Sequence, residues 1–565
     1  MIRARKPWAS AGHQVARTFI LIYLPLSAIF IFLARDTYFV RPMFEIGDFA
    51  AGALQIEKAK HLSELLGNYS RFGFHHPGPA FFYVYALGDI VFRDLFQLTP
   101  APLNAYLLAG VLLQTAFLSV ALAILAELAD GDRGVFILCA LAIALVFAEL
   151  IGNPAFQLWP PYQPVLPFVC LLAAAIAVAL GWAAMLPILV LCGSFLVHGH
   201  VAQPLFVLPI SAAAYLSLFI IGRQGPGLGF VRFMKATARP HVWTLAVAIP
   251  FALPLLIDAI RGPQSNLAII LGFISEGAPT STWGAAVFYF LSFLALRGHG
   301  NGTTLDVAPT DRIAFLTTSW PALVGWLVIL IVPTMLLLRW DRSADATFSR
   351  VGDSPVYSRR LVATYCGFLA LGALLTLLWA KVQYGPPYAF NGFFFNGLLY
   401  LAALPLAFVA ARIRVLASRP VLAGAVVLLL AVALSRPSPF ANVTTLGAEP
   451  GDDSARQLHL SVARLLAELS EPPSAVLLEF PQQDWPQAVG VALVLQRNGV
   501  SYLVDSEWGF MFGYDHVYTA SASVAGDEAV FRWSLAAPSP QASDQVILSE
   551  HIALVSSGRV EPPHE

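Results

Sequence analysis

The sequence predicts an α-helical polytopic membrane protein, with about 11 transmembrane helices and a small C-terminal α/β domain outside the membrane. Three observations carry that prediction. The 565 residues are 58% hydrophobic and only 12% charged, whereas soluble domains carry about 25% charge. Apolar stretches of membrane-crossing length recur from residue 18 to residue 435. After residue 435 charge returns to an ordinary level.

Crossing a bilayer core takes roughly 17–25 apolar residues. That length places spans near 18–34, 103–128, 134–152, 164–180, 182–197, 201–222, 242–260, 313–338, 361–380, 389–411 and 420–435. The join at Gly181-Trp182 is the least marked, but the 165–197 stretch would make a helix of about 50 Å, too long for one crossing of a core of about 30 Å. No A-x-A cleavage pattern follows the first apolar run, so it reads as a retained span.

Basic residues favour the cytoplasmic side. With the N-terminus there, three basic loops fall on the same side: 223–239 with Arg223, Arg232, Lys235 and Arg239, then 339–360 and 412–419. The apolar stretches 81–92 and 285–296 are too short to cross, and letting either one do so would break that agreement. The outer face then receives 35–102, the Trp-Pro-Pro-Tyr turn at 159–162, His198–His200, 261–312, 381–388 and the tail. By this division residues 1–435 form the transmembrane domain, including the first outer loop with two surface helices, and 436–565 the outer α/β domain. Within the tail, 455–469 and 487–497 read as helices and 475–480 and 500–504 as strands.

Net charge is −1, with no basic footprint for nucleic acid. Cys139, Cys170, Cys192 and Cys366 lie in apolar runs without metal-ligand spacing and read as small core residues.

Residues 44–79 concentrate the chemistry. Gly47-Asp48 opens a helix with an apolar face, ended by Gly67-Asn68 and lying along the membrane. Asp48 has two readings: a helix N-cap, or a carboxylate placed to take a proton from an incoming hydroxyl. Glu45 is a secondary acid, and with Asp48 gives a divalent ion two ligands, a weak metal signature. Asp36 follows Arg35 and reads as an interfacial ion pair. Arg71, His75 and His76 precede Pro77-Gly78-Pro79 and offer a fork and donors for phosphate, or partners for Glu57 and Glu64. His198 and His200 at the outer end of a span extend that donor set; a zinc site from the four histidines is the remoter reading. The turns 159–162 and 384–388 read as interfacial aromatics or as platforms for a sugar ring.

An acid opening a helix after the first span, followed by Tyr69-Ser70-Arg71-Phe72-Gly73-Phe74-His75-His76-Pro77-Gly78-Pro79, resembles the GT-C glycosyltransferase superfamily. The pattern is similar to protein mannosyltransferases and the lipid A aminoarabinose transferase. It is closer still to bacterial members carrying Arg-Phe-Gly-x-x-His-Pro-Gly-Pro. This chain has Gly78 where those families often have a second proline, and a single acid at Asp48 where several have an Asp-Glu pair. The resemblance implies an inverting hexosyl or pentosyl transferase of a bacterial cytoplasmic membrane. It implies a polyprenyl-phosphate sugar as donor, a divalent metal in some members, and a glycan, lipid or protein acceptor on the outer face. Asp48 would be the catalytic base, and Arg71, His75 and His76 would line the donor or acceptor site. The rival reading is a transporter or lipid flippase of envelope glycoconjugates. Glu127, Glu149, Asp258 and Lys381 stand near span ends, whereas an ion path places such groups at mid-membrane.

Overall fold

The structure is a computed structural model that describes residues 8–129, 131–222, 230–262, 265–277, 281–296, 309–343, 355–435, 453–469, 473–518, 530–538, 545–549 and 552–559. The chain divides into two compact units. One comprises Met1–Leu33 with Gly110–Asn442, the other Ala34–Ala109 with Val443–Glu565. The division expected from composition kept the first outer loop with the spans. The contacts group that loop with the C-terminal tail instead, because its helix Asp48–Lys60 packs on the tail helix Trp485–Arg497.

The protein is a multi-pass membrane protein. Among the described residues eight helices are long and apolar enough to cross: Gly12–Leu33, Pro102–Leu128, Arg133–Ile151, Pro160–Ala179, Pro204–Gly222, Ala238–Ile260, Thr317–Arg339 and Arg359–Lys381. The other three expected spans appear as shorter apolar helices, Ala183–Gly199, Phe395–Ala410 and Arg419–Ala433. The break at Gly181 is real: its φ of 102° is open to glycine and turns the chain between two buried helices. The stretches expected to be too short to cross form helices Ala80–Gly88, continued by a π-helical Asp89–Leu95, and Trp283–Leu294. A further short helix, Asn266–Glu276, was not foreseen; the Asp258 carboxylate accepts from the backbone N–H groups of Asn266 and Leu267 at its start, each at 3.2 Å. The basic stretch 223–229 and residues 344–354 lie outside the described residues.

In the transmembrane unit the 159–162 turn packs on the residues that follow the 384–388 turn. Trp159 packs at a tilt on Phe390, ring centroids 5.5 Å apart, and Tyr162 likewise on Phe393 at 4.7 Å, with Trp159 and Tyr162 buried. Their faces are spent on packing rather than offered to a sugar. The four cysteines are free thiols, buried or half-buried.

The second unit holds a five-stranded mixed sheet of order β2-β1-β3-β5-β4, with β1 Ala475–Glu479, β2 Ser501–Leu503, β3 Val530–Ala536, β4 Gln545–Ser549 and β5 Ile552–Arg559. β1 runs parallel to β2 and β3, and the β3–β5–β4 part is antiparallel. The parallel β1–β2 pair needs a crossover, which helix Trp485–Arg497 supplies. Helix Asp453–Glu468 packs on that crossover helix and on β4. Both helices and both strands read from the tail sequence are present.

Candidate active site

Asp48 is the first residue of helix Asp48–Lys60, not its cap. Gly47 holds the N-cap position at φ 56°, and no side chain caps the helix. Gly47 N–H donates to Pro486 O at 3.0 Å, so the tail fixes the helix start. The Asp48 carboxylate is half-buried and accepts a hydrogen bond from the Tyr69 hydroxyl. Burial, then the charge and hydrogen bond of Asp48, push the Tyr69 hydroxyl well above its ordinary value. Tyr69 therefore stays a donor and holds the carboxylate in one orientation.

The helix stops at Lys60, well before the expected Gly67-Asn68, because Leu62 turns left-handed at φ 58°. It is buried on more than one side, through Phe49, Ala50, Ala51, Ala53, Leu54, Gln55, Ile56 and Ala59, against helices Ala80–Gly88 and Trp485–Arg497. Its apolar face is therefore covered by protein.

Residues 67–76 form a hairpin. Gly67 N–H donates to His76 O, His76 N–H to Asn68 O and Ser70 N–H to Phe74 O, at 2.9, 2.7 and 2.8 Å. The turn Ser70-Arg71-Phe72-Gly73 closes on a bond from Gly73 N–H to Ser70 O, with Gly73 at φ 79°. Tyr69 lies opposite His75 in this pairing. Arg71 at the tip is exposed, 5.4 Å from the Phe72 ring, and His76 is half-exposed. His75 is only 5% exposed and its Nδ1 lies 3.1 Å from Gly67 O, so it braces the hairpin. The tail also borders this hairpin: Tyr514 donates to Gly73 O at 2.9 Å, and the Phe510 ring lies 5.9 Å from that of Tyr69.

Glu45 has a different place from the one expected. It is 1% exposed and bidentate to Arg497, at 3.0 and 2.8 Å. Burial would raise its carboxyl, but the Arg497 charge and hydrogen bonds, with His459, outweigh that and hold it below the ordinary range. With both oxygens on Arg497, Glu45 is not a spare acid and does not join Asp48 around a metal. Among the described residues no group of three or more His, Cys, Asp or Glu is arranged for a metal ion. Arg497 Nε also donates to Glu57 at 2.8 Å, and Lys60 extends the network to Glu57, Asp89 and Asp94. Glu64 accepts from the N–H groups of Leu65 and Leu66 at 2.9 and 2.8 Å. The ion pair Arg35–Asp36 forms as expected, at 3.9 Å on the surface.

His198 and His200 belong to the transmembrane unit, while Asp48, Arg71, His75 and His76 belong to the other. His198 is 2% exposed and its Nε2 donates to Phe251 O at 2.9 Å. His200 ends its helix and its Nδ1 accepts from Ala202 N–H at 3.1 Å. The sequence marks Tyr69 only as the start of the motif and gives no sign of its bond to Asp48, which depends on the hairpin folding back on the helix start. Phe510 and Arg497, in the tail, carry no local signal.

No protein-family model matches the chain, and no curated protein matches it. Among solved structures the chain is similar to the archaeal oligosaccharyltransferase AglB from Archaeoglobus fulgidus in complex with an inhibitory peptide and a dolichol-phosphate. The identity is 11%, the match covers 88% of this chain and 71% of that one, and the TM-score is 0.34. At that TM-score the likeness carries no argument, and the functional reading rests on the chain's own residues.

Proposed function

We propose that the protein is a GT-C-type glycosyltransferase of a bacterial cytoplasmic membrane. It moves a sugar from a polyprenyl-phosphate donor to an acceptor hydroxyl on the outer face, with the N-terminus in the cytoplasm. The observation that carries this reading is the half-buried Asp48 carboxylate, oriented by Tyr69 and followed by a hairpin that presents Arg71 and His76. Asp48 takes the proton of the acceptor hydroxyl as its oxygen attacks the anomeric carbon. The bond from that carbon to the phosphate oxygen breaks, and the electron pair leaves with the lipid phosphate. Attack opposite the leaving group inverts the configuration. Arg71 and His76 are the phosphate-facing groups, since a guanidinium fork suits phosphate oxygens and imidazole adds a donor. His75 and His198 are spent on backbone carbonyls and are not carried into the donor site. Against the transporter reading, Glu127 accepts from Arg133 at 2.7 Å and Thr18 at 2.9 Å, and Asp258 caps a helix; neither supports an ion path.

The test is a transfer assay with the purified full-length protein and a panel of polyprenyl-phosphate sugars. Product from one donor that is lost in Asp48→Asn supports the reading. Substituting Arg71 should raise the KM for the donor with little effect on folding, because an exposed cation contributes little to stability. No transfer from any donor, or full activity in Asp48→Asn, rejects it.

A further inference from the structure

The transmembrane unit contains a cavity of 160 Å³ whose lining includes Leu26, Phe30, Leu118, Ala144, Asn396 and Leu429. Its walls come from helices Trp8–Leu33, Pro102–Leu128, Arg133–Ile151, Val165–Ala179, Phe395–Ala403 and Arg419–Leu434. Among the described residues none that lines it is charged. Asn396 is 1% exposed, and neither its Oδ1 nor its Nδ2 has a hydrogen-bond partner among the described residues. A buried amide left unmade costs about 1–3 kcal/mol, so the position asks for a partner that the chain does not supply.

Asn396 has little freedom to turn elsewhere. A Cβ on its neighbour Gly397 would lie 2.9 Å from Val165 O and 3.0 Å from Val169, so this helix sits hard against Val165–Ala179. Phe394 packs on Phe168 at 5.5 Å and Phe395 on Trp379 at 5.4 Å. One turn on, Tyr400 donates to Ala140 O at 3.0 Å. These contacts hold the amide against the cavity.

We propose that the cavity takes the carbonyl end of one ester-linked acyl chain of a membrane glycerolipid, with the ester carbonyl accepting from Asn396 Nδ2. A cavity of about 150 Å³ holds a benzene-sized group, so this one seats a short run of hydrocarbon. The polar wall stands at span ends: Asn396 is the second residue of its helix and Asn153 follows the end of span Arg133–Ile151, while the adjoining Phe30 is near the end of span Gly12–Leu33. Ester carbonyls lie at that depth, where hydrocarbon gives way to headgroups. A polyprenyl chain offers no hydrogen-bonding atom before its phosphate, and a phosphate would seek a cation that the wall lacks. The inference is independent of the transferase reading.

The test is native mass spectrometry of the delipidated full-length protein, titrated with dioleoyl phosphatidylglycerol and with its ether-linked analogue, which lacks the carbonyl. The wild type should retain one ester lipid about tenfold more tightly than the ether lipid, as one hydrogen bond to an otherwise unpaired amide implies. Asn396→Leu should erase that preference and still bind the ether lipid; Ala144→Phe, filling the cavity, should weaken both. Equal binding of the two lipids by the wild type overturns the proposal, whether or not the variants fold. So does displacement of the ester lipid by equimolar polyprenyl phosphate.

Discussion

Removing Arg497 tests what holds the candidate catalytic loop to the tail. In Arg497→Met, Glu45 stays 1% exposed but loses both of its guanidinium bonds, and Glu57 loses one at 2.8 Å. Removing one partner of a buried ion pair costs about 3–5 kcal/mol because a charge is left unpaired. Arg497 keeps about a fifth of its side chain exposed, so the lower end, about 3 kcal/mol, is expected. The unit concerned has about 200 residues. For domains of that size each kcal/mol shifts Tm by roughly 2–4 °C, which predicts a fall of about 6–12 °C. Removing both charges, as in Glu45→Met with Arg497→Met, should cost less than the sum of the single changes, since no charge then stays buried at Glu45. The pH dependence has a definite sign. Glu45 is held below its ordinary 4.5 when folded, so the pair stabilises above that value. Its contribution is lost as pH falls through the lower folded value. The gap between wild type and Arg497→Met should be full at pH 7 and close in acid. Thermal unfolding followed by the tail tryptophans Trp485, Trp508 and Trp533 measures it. A shift under about 2 °C, or a double variant that loses the full sum, refutes the argument.

Four further outcomes concern the same unit. Asp48→Asn should lower transfer about 10²–10⁴-fold. Because Gly47 and not Asp48 is the N-cap, Asp48→Ala loses no cap, but it leaves the buried Tyr69 hydroxyl without its acceptor and should cost about 1–3 kcal/mol, read by the same melts. Gly47→Ala forces a side chain into φ 56°, ψ −133°, costs roughly 1–3 kcal/mol, and should lower kcat with Asp48 itself unchanged; unaltered kcat and Tm would show the position is slack. Glu64 is buried, and that burial, opposed by its backbone hydrogen bonds and Lys58, raises its carboxyl to about 7. The folded state then binds more protons than the unfolded one from about pH 4.5 to 7, so stability falls as pH rises through that window. Glu64→Gln keeps an acceptor for Leu65 and Leu66 and should be more stable than wild type at pH 8, by about 2–4 kcal/mol. A parallel pH–stability curve in the variant would contradict this.

Membrane character, the positions of the spans and the α/β alternation of the tail were legible in the sequence, because each rests on local composition and period. Apolar length alone marks 103–128 or 313–338 as membrane-crossing, and a glycine alone can mark the break at 181. Asp48 and its motif stood out for the same reason, as polar residues in an apolar chain. What those residues touch was decided only by tertiary structure. Arg497 meets Glu45 across 452 positions, and Pro486 receives the Gly47 N–H from a similar distance along the chain. No periodicity encodes a pairing of that separation; it depends on two segments folding against each other. The same contacts fix the helix start at Gly47 and take Glu45 out of the acids available for chemistry. A charge's role is set by its partner and its burial, and both are properties of the folded chain.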